Sequence, residues 1–239
     1  MKAFLVMGRT FKAAYDDLFL CVFLSIAWWV GALLLPSLFG MLASAINLPL
    51  TIAIPIGVLL LVGAVPVTVG VQRVTNRIAN YLRVDNSFFW EAIRQRIGRG
   101  LILFAISLLV PAAILFNIWF YFNSQGWLSI IGVAWAWLLL LVLMIGQYLF
   151  PLFWQQDTPD IKLAVRNAAL LALRHPLYSF LMLLFQILLL ALCTALTLPL
   201  ILLGPALIAL AGNFALAGLL QEMGLAPQPP EMPVVGRKN

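Results

Sequence analysis

Three charge-free stretches constrain this chain more than any other feature of it. No Asp, Glu, Lys or Arg occurs from Leu18 to Gln72, from Gly100 to Gln156, or from His175 to Gln221. Each stretch has room for two helices of about 20 residues, the length that crosses a hydrocarbon layer roughly 30 Å thick. A soluble fold could not hide so much apolar surface. Hydrophobic residues are 64% of the chain and charged residues 9%, where soluble domains hold roughly half and about a quarter. In lipid the backbone must satisfy its own hydrogen bonds, so such stretches are helical. The expected fold is all-α: a polytopic transmembrane helical bundle of about six spans in three hairpins, near 18–38, 50–72, 101–122, 128–152, 178–199 and 201–221. The last hairpin turns near Pro199, Leu200 and the Gly204-Pro205 pair. Residues 1–226 are read as a single integral membrane domain. The Pro-rich run "APQPPEMP" marks 227–239 as a disordered cytoplasmic tail.

The charges that remain orient the bundle. Lys2, Arg9 and Lys12 precede span 1; Arg73, Arg77, Arg83, Arg94, Arg96 and Arg99 lie between spans 2 and 3; Lys162, Arg166 and Arg174 lie between spans 4 and 5; Arg237 and Lys238 close the chain. These are all 14 Lys and Arg, and they fall on one side. The opposite loops, around Asn47, Asn123–Gly126 and Leu200, carry none. The positive-inside rule therefore places both termini in the cytoplasm. The basic excess reads as lipid-facing, and no nucleic-acid partner is expected, because no folded basic module is present. The basic start and the "ASA" at 43–45 imitate a cleaved signal, but Asp16 and Asp17 abut an apolar run too long for a signal core, so cleavage is not expected.

Between the spans lie basic amphipathic segments, read as helices at the cytoplasmic interface. In "TPDIKLAVRNAALLALRHPLYSF" (158–180), Thr158 suits an N-cap, Pro159 the first helical position and Asp160 the positive helix end. Lys162 and Arg166 share one face, while Ile161, Val165, Ala168 and Ala172 share a mostly apolar one. The expected result is a helix lying in the interface, apolar side to the acyl boundary and basic side to headgroups. Pro176 then turns the chain into span 5. "QRVTNRIANYLR" and "DNSFFWEAIRQRIGRG" pattern alike, with Phe88, Phe89 and Trp90 as an interfacial anchor, and so does the N-terminus with Phe4, Met7 and Phe11. Arg73, Arg77, Arg94, Arg96, Arg99, Lys162, Arg166 and Arg174 are thus expected to face headgroups. The unit recurs about every 80 residues, the pattern of a degenerate repeat.

Chemistry-bearing residues are few. His175, the single histidine, sits beside Pro176, where a helix C-terminus favours positive charge, and it has no second metal ligand nearby. Cys21 and Cys193 fall in spans 1 and 5 at different depths, so they act as small apolar residues without a disulfide. No catalytic triad, phosphate loop or carboxylate pair is present, so no catalytic, cofactor-binding or metal-binding residue, and no cofactor, is expected. The absence of charge within the spans argues against proton or sodium coupling. What remains inside the bundle is uncharged polarity: Asn117, Gln147, Gln186 and Asn213, one amide in each of spans 3 to 6. Such amides tie helices together or line a sugar-sized cavity, and helix contact is the expected role. Ala211, Ala215 and Gly218 give span 6 a small face for close packing. Pro55, Pro66 and Pro111 are expected to kink spans 2 and 3.

"PVTVGVQRVTNRI" through "FFWEAIRQRIGRG", followed by "QYLFPLFWQQDTPDIKLAVRNAALLALRHPL", resembles the YesL-like family of bacterial membrane proteins. The resemblance covers most of the chain and is most specific at Tyr148–Pro151 and Val165–Pro176. It implies several spans in a bacterial cytoplasmic membrane and a domain of unknown function, often found near carbohydrate-uptake and polysaccharide-degradation systems. It supplies no catalytic residues. The expected partners are the lipid bilayer and a membrane transporter subunit, in an accessory or scaffold role without enzymatic activity; a carrier for an uncharged solute is the alternative. Nothing in the sequence sets an oligomeric state. On this topology, cysteines introduced at Asn123 or Gln125 react with an impermeant thiol reagent from outside intact cells. Those at Asn86 or Thr158 react only after the membrane is opened; the reverse pattern overturns the orientation.

Overall fold

The structure is a computed structural model that describes residues 2–124, 126, 128–156, 158 and 160–227. Among them the chain is helical, with no strand. The elements are α1 (Lys2–Asp16), α2 (Leu18–Ala45), α3 (Leu50–Leu60), a 3₁₀ turn (Leu61–Gly63), α4 (Ala64–Ala79), α5 (Ser87–Phe122), α6 (Leu128–Gln155), α7 (Ile161–Arg174), α8 (Pro176–Leu196), α9 (Leu198–Leu202) and α10 (Gly204–Glu222). Six helical stretches are long and apolar enough to cross a membrane: α2, the run Leu50–Ala79, α5, α6, α8 and α10. The protein is therefore a polytopic helical membrane protein with the expected six spans. Of the expected tail, all but Pro227 lies outside the described residues.

The spans are not equivalent. In α10, 83% of the most apolar window is buried, against 11% in α5 and in α6. α10 is the axis, and α1, α2, α4, α6 and α8 pack around it. Composition explains this. Its hydropathy is 1.4 where the other spans reach 2.4 to 2.6, because it is built from Ala and Gly. Lipid is as apolar as leucine, so spans associate through close packing and hydrogen bonds, and small residues permit that approach. Ala211 and Ala215 are fully buried. A Cβ on Gly218 would lie 2.8 Å from Val6 and 2.9 Å from the Tyr178 hydroxyl. A similar approach joins α2 to the 3₁₀ turn, where a Cβ on Gly63 would meet the Gly31 carbonyl at 2.7 Å. The turn itself ends three residues before Pro66. The proline ring clashes with the carbonyl four residues back, at Val62, and removes one helical bond. Pro55 and Pro111 are accommodated within α3 and α5.

Two of the three amphipathic segments are separate helices and the third is not. α4 continues through Arg73 and Arg77, and α5 begins at Ser87 and runs without interruption past Arg94, Arg96 and Arg99 into span 3. The reason is local: α7 is followed by Pro176 and α1 by the Asp16-Asp17 pair, whereas Gly98 and Gly100 do not stop a helix. At the α1–α2 joint, burial raises the pKa of the Asp17 carboxyl and the neighbouring Asp16 raises it further.

The start of α7 also differs from expectation. Its N-cap is Asp160, not Thr158; the backbone there is extended, and the carboxylate accepts the Lys162 N–H at 3.1 Å. Gln156 Oε1 takes the Asp160 N–H at 2.7 Å, which holds the cap in place. The role expected of Pro159 lies outside the described residues. α7 does not simply float on the acyl boundary. Ala164, Ala168 and Ala172 form a ridge, buried to the last 1% or less, and α7 packs on α6. Leu163, Leu170 and Leu173 face outward. In α1 likewise, Ala3, Val6, Thr10 and Ala14 are buried while Phe4 and Phe11 are exposed.

Candidate functional site

The polar groups of the spans converge on α10. Asn213, nine residues before the end of α10, is 1% exposed; at 1.5 Å per residue it sits about 13 Å in from the basic end. Its side-chain N–H groups reach three acceptors: Gln72 Oε1 at 3.0 Å, Thr75 Oγ1 at 3.0 Å and the Ala209 carbonyl at 2.9 Å. Its Oδ1 accepts from Asn76 Nδ2 at 3.0 Å. One hydrogen bond further along, Asn80 Nδ2 donates to the Asn76 carbonyl at 2.8 Å and to Gln155 Oε1 at 3.2 Å. A buried chain of amides thus joins α10 to α4 and α4 to the end of α6. Removing one partner of such a chain strands another in a medium with no water to replace it.

A second cluster lies between α6 and α8. Gln147 Nε2 donates to the Ser179 carbonyl at 2.9 Å, and Gln186 Nε2 donates to Gln147 Oε1 at 3.2 Å. The Tyr148 hydroxyl pairs with Ser179 Oγ at 2.9 Å, and the Tyr178 hydroxyl donates to the Ala215 carbonyl at 3.0 Å. The two clusters flank one close contact, where a Cβ on Gly212 would meet the Gln147 carbonyl at 3.2 Å. The α10 N-terminus is held from another side, as Ser25 Oγ accepts the Ala206 N–H at 3.3 Å.

Of the four intramembrane amides expected to matter, the structure brings Gln147, Gln186 and Asn213 into inter-helix contacts. Asn117 differs: its Nδ2 donates to Ala113, one turn back in its own helix, at 2.8 Å. Gln72, Thr75, Asn76 and Asn80 belong to the same network, although they fall in the segment expected to be a basic amphipathic helix. Gln72, Asn76 and Asn80 recur every four residues, a polar stripe along one helix face that could have been recognised.

Two cavities adjoin these clusters. One, of about 380 Å³, is lined by Trp28, Trp29, Thr68, Gln72, Ser107 and Pro205, among others. Both indoles are engaged: Trp28 Nε1 donates to Thr68 Oγ1 at 2.9 Å and Trp29 Nε1 to the Leu200 carbonyl at 3.2 Å. The other, of about 450 Å³, is lined mainly by aliphatic side chains of α5, α6 and α8, with Gln147 and Gln186 at its edge.

The basic residues divide into two groups. Arg94, Arg99, Lys162, Arg166 and Arg174 are exposed. Arg77 lies 3.7 Å over the Phe88 ring and donates to the Arg83 carbonyl at 2.9 Å. Arg73 and Arg96 are half-buried, Arg73 stacked 5.0 Å over Trp154. His175 joins α7 to α8 with its Nε2 buried and without a protein partner. Cys21 and Cys193 are buried free thiols. No group of three or more His, Cys, Asp or Glu among the described residues could hold a metal ion.

No protein-family model, curated protein or solved structure matches this chain.

Replacing Asn213 by Leu is expected to lower folding stability in detergent by about 1–2 kcal/mol, since inter-helix amide bonds contribute about that much in membranes. Asn117→Leu is expected to change it by less than about 0.5 kcal/mol, as for surface substitutions generally. Thermal or denaturant unfolding of the two variants checks the contrast, and equal effects would remove Asn213 from its central role.

Proposed function

We propose that this protein is a non-enzymatic accessory or scaffold subunit of a transport system in a bacterial cytoplasmic membrane, with its termini in the cytoplasm and carbohydrate uptake as the associated process. The observation that carries this reading is the bonding of the interior amides. Gln147, Gln186 and Asn213 each hydrogen-bond to protein groups across helix contacts, so they serve cohesion and are already committed when a solute arrives. The shape of the bundle also supports it. The outer half of α2 and all of α3 stand away from the axis: α3 has no buried residue, and Leu34, Leu38, Ile54, Val58 and Leu59 are all exposed. Such an arm adds apolar surface without adding an interior. Membership in the YesL-like family rests on the stretches quoted for it and belongs to the same proposal.

The runner-up is a carrier for an uncharged solute. One observation favours it: the 380 Å³ cavity brings two indole side chains together with two hydroxyls and an amide, the mixture of flat apolar faces and polar groups that suits a neutral polyol. Crosslinking in native membranes followed by purification is expected to recover a transporter subunit in stoichiometric amount, and neutral sugars are expected to leave the melting temperature of the purified protein unchanged. A saturable sugar-induced rise that disappears in Trp28→Leu or Ser107→Ala, two residues that line that cavity, would reject the scaffold in favour of the carrier.

A further inference from the structure

Where α4, α5 and α6 meet at the basic end, a pocket of about 270 Å³ opens, lined by Arg73, Glu91, Gln95, Arg96, Trp154 and Gln156, among others. It differs from the apolar cavities in being walled by charge and hydrogen-bond donors. Trp154 is 8% exposed and its Nε1 is buried with no protein partner. An indole N–H can only donate, so nothing but an acceptor satisfies it. Gln156 Nε2 is a second buried donor without a partner. Its orientation is settled by chemistry: the other end of that amide, Oε1, is occupied by the Asp160 N–H at 2.7 Å, and turning the amide over would set two donors against each other. Arg73 is fixed over the Trp154 ring at 5.0 Å, which leaves the edge of its planar fork for a ligand. Among the described lining residues the charges are two arginines against one carboxylate. Glu91 is itself engaged, accepting from Gln95 Nε2 at 3.0 Å.

We propose that this pocket binds a phosphate group, and specifically the phosphodiester of a phospholipid headgroup in the leaflet at the basic end. Unpartnered N–H donors beside a guanidinium fork are groups that recognise phosphate oxygens, and basic pockets between spans on the cytoplasmic side of a membrane collect anionic headgroups. The charge favours a diester over free phosphate. The described lining residues carry one net positive charge, which a phosphodiester monoanion neutralises, whereas inorganic phosphate near pH 7 would leave negative charge in excess. Depth agrees as well. Arg73 lies six residues before the end of α4 and Trp154 one residue before the end of α6, so the pocket opens near the ends of its spans, where headgroups are found.

The test uses the full-length protein in detergent, titrated separately with phosphatidylglycerol, with a glucosyl diacylglycerol that lacks phosphate, and with inorganic phosphate, reading melting temperature. Phosphatidylglycerol is expected to give a saturable rise. Its half-saturation is expected to shift at least tenfold in Arg73→Gln and to stay put in Arg166→Gln, a basic residue outside the pocket. Trp154→Phe keeps a ring beneath Arg73 and removes only the N–H; it is expected to weaken the response severalfold, and it carries the test should Arg73→Gln fail to fold. A rise with inorganic phosphate that depends on Arg73, and none with the lipid, would uphold a phosphate site and overturn the lipid source. Equal responses to the glucosyl lipid and phosphatidylglycerol, or equal behaviour of the Arg73→Gln and Arg166→Gln proteins, would overturn the site.

Discussion

An amide side chain buried in the middle of a membrane-embedded bundle must find its partners on other helices or on its own, and the bonds of Asn213 organise the rest of this protein. They reach Gln72, Thr75 and Asn76 on α4, and through Asn80 the network extends to α6. Packing between apolar helices in lipid has little directional preference, since a leucine loses no more by facing a lipid tail than by facing another leucine. The amides supply that preference. They set the rotation of α10 about its own axis and the height at which α4 passes it.

The small side chains of α10 make those bonds possible. A hydrogen bond of 3.0 Å between the short side chains of Asn76 and Asn213 needs backbones that approach closely, and Ala211, Gly212 and Ala215 permit it. The same closeness lets Gln147 present its carbonyl to Gly212 and Tyr178 reach the Ala215 carbonyl. Cohesion is therefore concentrated at the axis and in the half of the bundle nearer the basic end. Toward the other end the α2–α3 arm is apolar and exposed. A bundle built this way has a firm core on one side and ample apolar surface on the other.

Much of this was legible in the sequence because membranes impose strong compositional rules. The charge-free stretches located six spans, and the amide positions Gln147, Gln186 and Asn213 stood out as isolated polarity. What was not legible depended on which neighbour a residue would meet. The stripe Gln72, Asn76, Asn80 was masked by the arginines interleaved with it, which drew attention to headgroups. Thr158 suits an N-cap by residue type, yet the cap is Asp160, whose N–H is held by a glutamine four residues back. The fusion of the middle amphipathic segment to span 3 turned on the absence of a breaker, a weaker signal than the presence of one. The centrality of α10 was written as low hydropathy, which by itself reads as a marginal span and becomes meaningful only once the helices around it are known.

The coupling between Asn76 and Asn213, measured by a double-mutant cycle to alanine in the purified protein, tests the central role of α10 most directly. The expected coupling is about 1 kcal/mol, within the range of inter-helix hydrogen bonds in membranes, because either single substitution already removes the bond that the other residue needs. Additive losses, within the roughly 0.3–0.5 kcal/mol that independent sites show, would mean that the two side chains do not meet and that α10 is not held to α4 in this way.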